Sequence, residues 1–527
     1  MAEGRLGRFV GGLGLGYLHT LVVLVVGLWL TPFLLQQLGS HDYGLWLLAS
    51  QVLVYLALMD FGVVALVPRE VAFAAGQRMA AGAEDGVPAA DPVAEVVRRT
   101  VSLVAWQTPV VALAAAVAVW WLPAEWEPLR RPFAVVAAGF VVAFPLRMFS
   151  ALLQGLQDLA FLGSVQLAAW IAGTLVTVLL AFAGFGLYAL AAGWVVSQLL
   201  PALVAWHRVA TRFASAHPRG LAWLRWGDAR QQFGHSSWIS VGQIAQVLLS
   251  GTDLVVVGKL LGPEAIVPYA CTGKLMTMLA NQPQLFMQMA LPALSELRGS
   301  AARERLFEVS RSMTQLMLLA SGAIVAVVLV VNGPFVDWWV GGSRFGGTAL
   351  TALLLAGMLA RHVNVTMVYT LFCFGHERRL ALTNIADGLV GVAAMALLVP
   401  RFGVHGAAAG MLIATLAVSL PANIVGLARE QNTSAWWFVR SIQPWALRCG
   451  AVIALAALLA IALPPGGLPG ALCQVVVVGA LYAAVMVPVL RMAPLGPLLR
   501  ARLQPWLPKL PGVARRLAVE ALEVPAS

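Results

Sequence analysis

The chain has 527 residues, of which 60% are apolar and only 11% are charged, and its formal net charge is +11. Soluble globular proteins carry about 25% charged residues, so this composition excludes an ordinary water-soluble fold. The excess of positive charge does not indicate nucleic-acid binding, because most of the 34 Lys and Arg residues are confined to segments on one side of a series of apolar runs. That asymmetry is typical of membrane topology.

Fourteen apolar runs follow one another along the chain, and each is long enough to cross a hydrocarbon core of about 30 Å as a helix. They are unbroken rather than alternating, which indicates helices and not the strands of a membrane barrel. We therefore predict an all-α membrane protein with about 14 transmembrane helices. The first run is too long for a cleaved signal sequence and is interpreted as a retained span. In order, the predicted spans are 9–35, 44–67, 101–122, 133–156, 161–183, 186–206, 235–258, 265–290, 312–333, 348–373, 381–399, 404–427, 447–463 and 470–490.

The distribution of basic residues predicts the orientation of the spans. If the amino terminus is cytoplasmic, most Lys and Arg residues fall on the cytoplasmic side, as the positive-inside rule requires. An even number of spans then places both termini in the cytoplasm. The basic residues left in external loops are Arg130, Arg131, Lys259, Arg344 and Arg401.

The chain also matches itself at an offset of roughly 220 residues, as in transporters built from two similar halves. Six helices appear twice, which predicts the following organisation: an N-terminal six-helix bundle (1–210), a basic cytoplasmic linker (211–232), a second six-helix bundle (233–430), an extra helix pair (431–490) and an amphipathic or disordered cytoplasmic tail (491–527). The clearest match pairs Phe185, Gly186, Ala191, Ala192 and Gly193 with Phe402, Gly403, Ala408, Ala409 and Gly410. A weaker match pairs QQLGSHDY with GKLLGPEAIVPY, and a third pairs LLQGLQ with LFCFGH.

Two segments resemble a known family. DYGLWLLASQVLVYLALMDFGVVALVPREVA (42–72) and LLQGLQDLAFLGSVQL (152–167) are similar to sequences of the polysaccharide transporter branch of the multidrug/oligosaccharidyl-lipid/polysaccharide (MOP) exporter superfamily, which includes Wzx-type O-antigen flippases. The resemblance covers spans one to twelve. The extra helix pair resembles the arrangement in members with fourteen spans, including lipid II flippases. The branch's first-span arginine is absent, since that helix offers only His19.

The resemblance implies a MATE-like transporter with two bundles in a V shape around a central cavity, which opens alternately to each side. It implies a multi-pass protein of the bacterial cytoplasmic (inner) membrane rather than an enzyme. The implied cargo is an undecaprenyl-pyrophosphate-linked oligosaccharide for O-antigen, lipopolysaccharide or a similar surface polysaccharide, exchanged against H⁺ or Na⁺. Membrane lipids and polysaccharide-assembly proteins are the further partners, and no cofactor is expected.

Three basic residues lie inside predicted spans, where a charge costs about 2.5 to 3.5 kcal/mol on insertion scales. They are Arg147 in span four, Lys274 in span eight and Arg361 in span ten. A pyrophosphate at membrane depth needs cationic partners, and the arginine fork binds phosphate oxygens in pairs. We therefore predict that Arg361, Arg147 and Lys274 bind the pyrophosphate.

Three aspartates also lie within predicted spans, namely Asp60, Asp253 and Asp387. A buried carboxylate is suited to loading and releasing a coupling ion, which makes each of them a candidate ion site. The alternative is that cations and aspartates neutralise each other in structural pairs, for example Asp253 with Lys274. Arg69 and Glu70, just after Pro68, are predicted to form a cytoplasmic gate or a local ion pair.

Other functions make different demands on the sequence. A multidrug or small-solute antiporter of the same superfamily would show the same hydropathy but an apolar cavity with few cations. A membrane glycosyltransferase, polymerase or ligase would need a large external loop, whereas the external loops here are short. A metal site is not predicted, because Cys271, Cys373, Cys449 and Cys473 show no ligand spacing.

Overall fold

The structure is a computed structural model that describes residues 2–58, 63–81, 91–214, 245, 251–299, 303–462, 466–492 and 494–497. The chain divides into two compact units, residues 1–247 and 248–527. The described residues form helices joined by short turns and contain no strand. The predicted all-α class is therefore confirmed.

Six helices are described in the first unit. Helix α4 packs against α2, α3 and α6, while α5 packs against α6 and α1. A core of Val67, Val97, Met148 and Leu152 joins α2, α3 and α4. The helices are α1 (Ala2–Ala57), α2 (Val63–Ala81), α3 (Pro92–Trp120), α4 (Glu127–Gly155), α5 (Leu159–Phe182) and α6 (Leu187–Arg212).

The second unit is built around one long helix, α9, which packs against α8, α10, α14 and α15. Short α7 packs against α11 and α12, and α10 packs against α12 and α13. The helices are α7 (Thr252–Leu261), α8 (Ile266–Gly299), α9 (Arg303–Val340), α10 (Thr348–Cys373), α11 (Glu377–Phe402), α12 (Val404–Ala414), α13 (Leu420–Gln431), α14 (Ala435–Ala462) and α15 (Leu468–Arg491). A π-helical turn, Thr415–Ser419, joins α12 to α13.

Eleven helical segments of the described residues are long and apolar enough to cross a membrane. The total is compatible with about fourteen spans, because α1 contains the first predicted span and the start of the second, separated by a bend at Gly39. The seventh predicted span is described only at residue 245 and from residue 251 onward. The chain is a multi-pass membrane protein.

The repeated glycines adopt matching backbone conformations in the two units. Gly186 has φ 55° and ψ −132°, and Gly403 has φ 58° and ψ −141°. Gly39 has φ 78° and ψ 171°, and Gly262 has φ 89° and ψ 161°. Residues with a Cβ atom rarely adopt these angles, so glycine is needed at these turns in both units.

The extra helix pair packs closely against α9 at Gly322. A Cβ atom at this position would lie 3.1 Å from Cys449 Sγ on α14 and closer still to the Tyr482 hydroxyl on α15. The Tyr482 hydroxyl donates a hydrogen bond of 2.7 Å to the Leu319 carbonyl oxygen. Since small residues allow close helix contact in lipid, Gly322 explains how α14 and α15 attach to the second unit.

Candidate functional site

Arg361 lies in the middle of α10 and is half-buried. It interacts electrostatically with Asp387 on α11 and with Tyr269 on α8. Arg361 nevertheless forms no ion pair with any described residue. Its guanidinium group is thus partly balanced by a carboxylate but not bound to it.

Asp387 is almost fully buried, with 2% of its surface exposed. Ser419, in the π-helical turn, lies within hydrogen-bonding range of it. One carboxylate oxygen, Oδ1, has no hydrogen-bond partner. An unsatisfied acceptor costs about 1 to 3 kcal/mol, and π-helical turns are frequent at functional sites. Asp387 therefore remains a candidate ion ligand.

Asp253 lies in the first turn of α7 and accepts two hydrogen bonds. The Tyr269 hydroxyl donates to its Oδ2 at 2.6 Å, and the Leu254 amide donates to its Oδ1 at 3.0 Å. Helix α7 packs against α11, which carries Asp387. The two aspartates therefore lie on neighbouring helices of the same unit. Sequence analysis missed Tyr269, although a hydroxyl in an apolar span is a signal for such a partner.

Lys274 lies on α8 and is half-buried. It interacts electrostatically with Cys271, one turn earlier on the same helix. The ion pairs of the described residues do not include Lys274. The sequence left open an ion pair between Asp253 and Lys274. This ion pair is not formed, and Asp253 accepts a hydrogen bond from Tyr269.

Two polar residues that accompany Arg361 are used for contacts between helices. The Nδ1 atom of His362 lies 2.6 Å from the Ser321 hydroxyl on α9. The Oδ1 atom of Asn364 accepts a bond of 2.8 Å from Asn423 on α13. These bonds fix α10 between its neighbours, and Arg361 is the charged residue left for another partner.

Arg147 lies on α4 of the first unit, between residues of the buried core. Its Nη1 atom is buried and has no hydrogen-bond partner. Like Lys274 and Arg361, it forms no ion pair with a carboxylate among the residues that the structure describes. A buried donor of this kind costs free energy unless another group satisfies it.

The predicted gate residues lie on α2. Arg69 is exposed and Glu70 is half-buried. Burial raises the pKa of Glu70, while the charges of Arg99 and Arg69 oppose this shift. Arg99 itself bonds to Glu95 at 2.9 Å. Glu70 therefore has basic neighbours on α2 and α3, as in a local charge cluster. The third candidate aspartate, Asp60, lies outside the described residues.

The first unit thus carries Arg147, and the second carries Lys274, Arg361 and two hydrogen-bonded aspartates; none of the ion pairs among the described residues includes these cations. Such cations can bind a polyanionic group, and such carboxylates can bind a small cation or a proton. In the described part of the chain, no group of three or more His, Cys, Asp and Glu residues is arranged to hold a metal ion.

Comparison with solved structures identifies the fold. The lipid II flippase MurJ, in an inward closed conformation, matches with a TM-score of 0.64 and 11% identity, over 90% of this chain and 99% of that chain. An inward-facing multidrug resistance MATE family transporter of the MOP superfamily matches with a TM-score of 0.59 and 14% identity, over 80% of this chain and 97% of that chain. The chain has the fold of a MOP superfamily transporter.

Further comparisons agree with this MOP fold. An outward-facing MATE family transporter matches with a TM-score of 0.54 and 14% identity, over 81% of this chain and 94% of that chain. A family model described as "Polysaccharide biosynthesis protein" matches residues 98–344. A search of curated protein sequences gives no significant match. The family model and the fold agree with the resemblance found in the sequence.

Proposed function

We propose that the protein carries a lipid-linked oligosaccharide, with an undecaprenyl-pyrophosphate anchor, across the bacterial cytoplasmic membrane by alternating access. One observation supports the proposal: Arg147, Lys274 and Arg361, which fall within predicted spans, form no ion pair with a carboxylate in the described chain. These charges would weaken cargo binding in an antiporter for cationic drugs, because they repel a cation. The match to a polysaccharide biosynthesis family and the fold shared with a lipid II flippase support an anionic glycolipid.

The proposed cycle assigns a role to each group. The three cations bind the pyrophosphate in place of water, which lowers the cost of bringing its charge into the membrane. Transport is coupled to H⁺ or Na⁺, with Asp253, Asp387 and Asp60 as the candidate ion sites. Both termini lie in the cytoplasm, as the distribution of basic residues indicates. The protein is a transporter for cell-surface polysaccharide synthesis and not an enzyme.

A reconstituted assay tests the proposed cargo. Proteoliposomes holding the purified protein are loaded with one fluorescent oligosaccharide, attached to polyprenyl pyrophosphate or, as the matched control, to an uncharged polyprenyl chain. We expect at least about tenfold faster translocation of the pyrophosphate form, because charge-assisted hydrogen bonds each contribute about 1.5 to 3 kcal/mol. Transport of a cationic dye, without transport of either glycolipid, would contradict the proposal and favour a multidrug antiporter.

The proposed ion coupling has its own test in Asp253→Asn. This change removes the negative charge but keeps an acceptor for the Tyr269 hydroxyl, which lies 2.6 Å from the carboxylate. We expect that a Na⁺ or H⁺ gradient will no longer accelerate glycolipid transport, while equilibrium cargo binding stays within about twofold. Asp337→Asn removes an exposed carboxylate of the same unit and serves as the control. Unchanged gradient dependence in Asp253→Asn would rule out Asp253 as the ion site.

A further inference from the structure

A cavity of about 310 Å³ lies inside the second unit, where the extra helix pair meets α9 and α13. Its volume is at the lower end of the range for small-molecule sites. Its lining includes none of the three cations assigned to the cargo. The wall formed by α14 and α15 belongs to the extra pair and not to the six-helix repeat. This cavity therefore requires an explanation independent of the transport site.

The polar part of the cavity is positively charged. Arg311 on α9 and Arg440 on α14 line it, and no Asp or Glu is among its lining residues. The described ion pairs include neither arginine. The Arg311 guanidinium carbon lies 4.7 Å from the centre of the Trp437 ring. Stacking uses the face of the guanidinium, so its N–H edge stays free to donate to an anion.

Three neutral polar side chains of the lining are bonded within the protein, whereas the Trp445 indole nitrogen is buried without a hydrogen-bond partner. Thr314 donates to the Ser310 carbonyl at 3.0 Å, and Ser441 donates to the Phe438 carbonyl at 2.7 Å. The Gln315 side-chain oxygen accepts a bond of 3.2 Å from the Leu495 amide. The guanidinium groups and the Trp445 indole N–H are thus available donors, and the charge of the guanidinium groups selects a ligand with negative charge.

The remainder of the cavity is apolar. Leu318, Phe438, Trp445 and Val489 line it and are buried in the core of the second unit. Beyond the cavity, Leu447 on α14 is 67% exposed, as expected for a side chain that faces lipid. A site with a cationic part and an apolar part, next to a lipid-facing surface, matches the chemistry of an anionic phospholipid better than that of a free inorganic anion.

The position along the membrane normal agrees with this chemistry. Trp436 is 60% exposed and, with Trp437, marks the membrane interface at the start of α14. The orientation derived from the basic residues puts this end of α14 at the cytoplasmic surface, where basic pockets between helices bind acidic lipid head groups.

We propose that this cavity is a binding site for the phosphate head group of an anionic phospholipid of the cytoplasmic leaflet. Arg311 and Arg440 hold the phosphate, Trp437 orients Arg311, and the lipid chains extend over the apolar surface of α14. The lipid fastens the extra helix pair to α9. The site does not depend on the identity of the transported cargo.

Native mass spectrometry of the purified full-length protein tests this site with phosphatidylglycerol, phosphatidylcholine and inorganic phosphate as separate probes. The variant is Arg311→Gln/Arg440→Gln. Each basic residue near an anionic head group contributes about 1 kcal/mol, so we expect phosphatidylglycerol binding to weaken by about 30-fold in the double variant. Arg131→Gln/Arg401→Gln, which removes two exposed arginines elsewhere, should bind as wild type does.

Three outcomes would overturn the proposal: equal phosphatidylglycerol binding by the double variant, equal affinity for phosphatidylcholine and phosphatidylglycerol in wild type, or full competition by inorganic phosphate at the same concentration. If the double variant does not fold, Arg311→Lys/Arg440→Lys replaces it. That variant keeps the charge but loses the planar fork, and we expect it to retain the preference for phosphatidylglycerol over phosphatidylcholine.

Discussion

Arg361→Ala should reduce cargo binding and transport by about 100-fold, because it removes the proposed charge-assisted contact with the pyrophosphate. The arginine is half-buried in α10 and forms no ion pair with a described carboxylate. The measurements are rescue of a flippase-deficient strain and equilibrium binding of the labelled pyrophosphate glycolipid. Protein abundance should stay close to that of wild type.

Asp387 interacts electrostatically with Arg361, and a variant of both residues therefore tests whether Arg361 acts only by neutralising this carboxylate. If Arg361 served only to neutralise Asp387, Arg361→Ala/Asp387→Asn would remove both charges and recover cargo binding. If Arg361 binds the pyrophosphate, the double variant stays as weak as Arg361→Ala, and Asp387→Asn alone keeps its binding. Binding is the readout, since Asp387 is itself a candidate for ion coupling and its loss would affect transport.

Two further variants delimit the result. Arg361→Lys keeps the charge without the fork, so we expect binding between that of wild type and that of Arg361→Ala. Arg401→Ala removes an exposed arginine at the end of α11 and should have no effect. Wild-type binding by Arg361→Ala, or recovery in the double variant with Asp387→Asn, would refute the assignment.

Hydropathy predicts the helices well but not their full lengths. The tenth predicted span, 348–373, coincides with α10. The ninth, 312–333, lies within a helix that extends over Arg303–Val340. The difference has a physical cause: charged residues such as Arg305 and Glu308 end an apolar run but not a helix, whose backbone hydrogen bonds continue beyond the hydrocarbon core. Gly186 and Gly403, which the sequence pairs, share their backbone angles, because both turns need a positive φ.

The site was less predictable, because sequence spacing does not fix the direction of a side chain. The three cations and Asp253 were found from the cost of charge in lipid, yet the Tyr269 partner of Asp253 was not. His362 and Asn364, which follow Arg361 in the sequence, both bond to neighbouring helices. The cavity beside α14 joins segments between residues 310 and 492, so no local pattern reveals it.

The second large effect is expected at Gly193, where α5 and α6 meet. A Cβ atom there would lie 2.5 Å from the Gly173 carbonyl oxygen and closer still to the Thr177 hydroxyl. That hydroxyl donates to the same carbonyl at 3.0 Å, so it is not free to turn away. Gly193→Ala therefore forces two helix backbones apart, and we expect a loss of about 3 kcal/mol or more of stability.

Gly27→Ala is the matched control for Gly193→Ala. It makes the same substitution in a helix of the same unit, but a Cβ atom at Gly27 has no neighbour within 4 Å. Alanine favours the helix by about 1 kcal/mol over glycine, so this variant should be as stable as wild type or slightly more stable. The measurements are the thermal unfolding midpoint and the monodisperse fraction in detergent. Equal values for Gly193→Ala and wild type would show that α5 and α6 do not approach as closely as described. If Gly193→Ala loses stability and Gly27→Ala does not, the result supports close packing of α5 and α6 at Gly193.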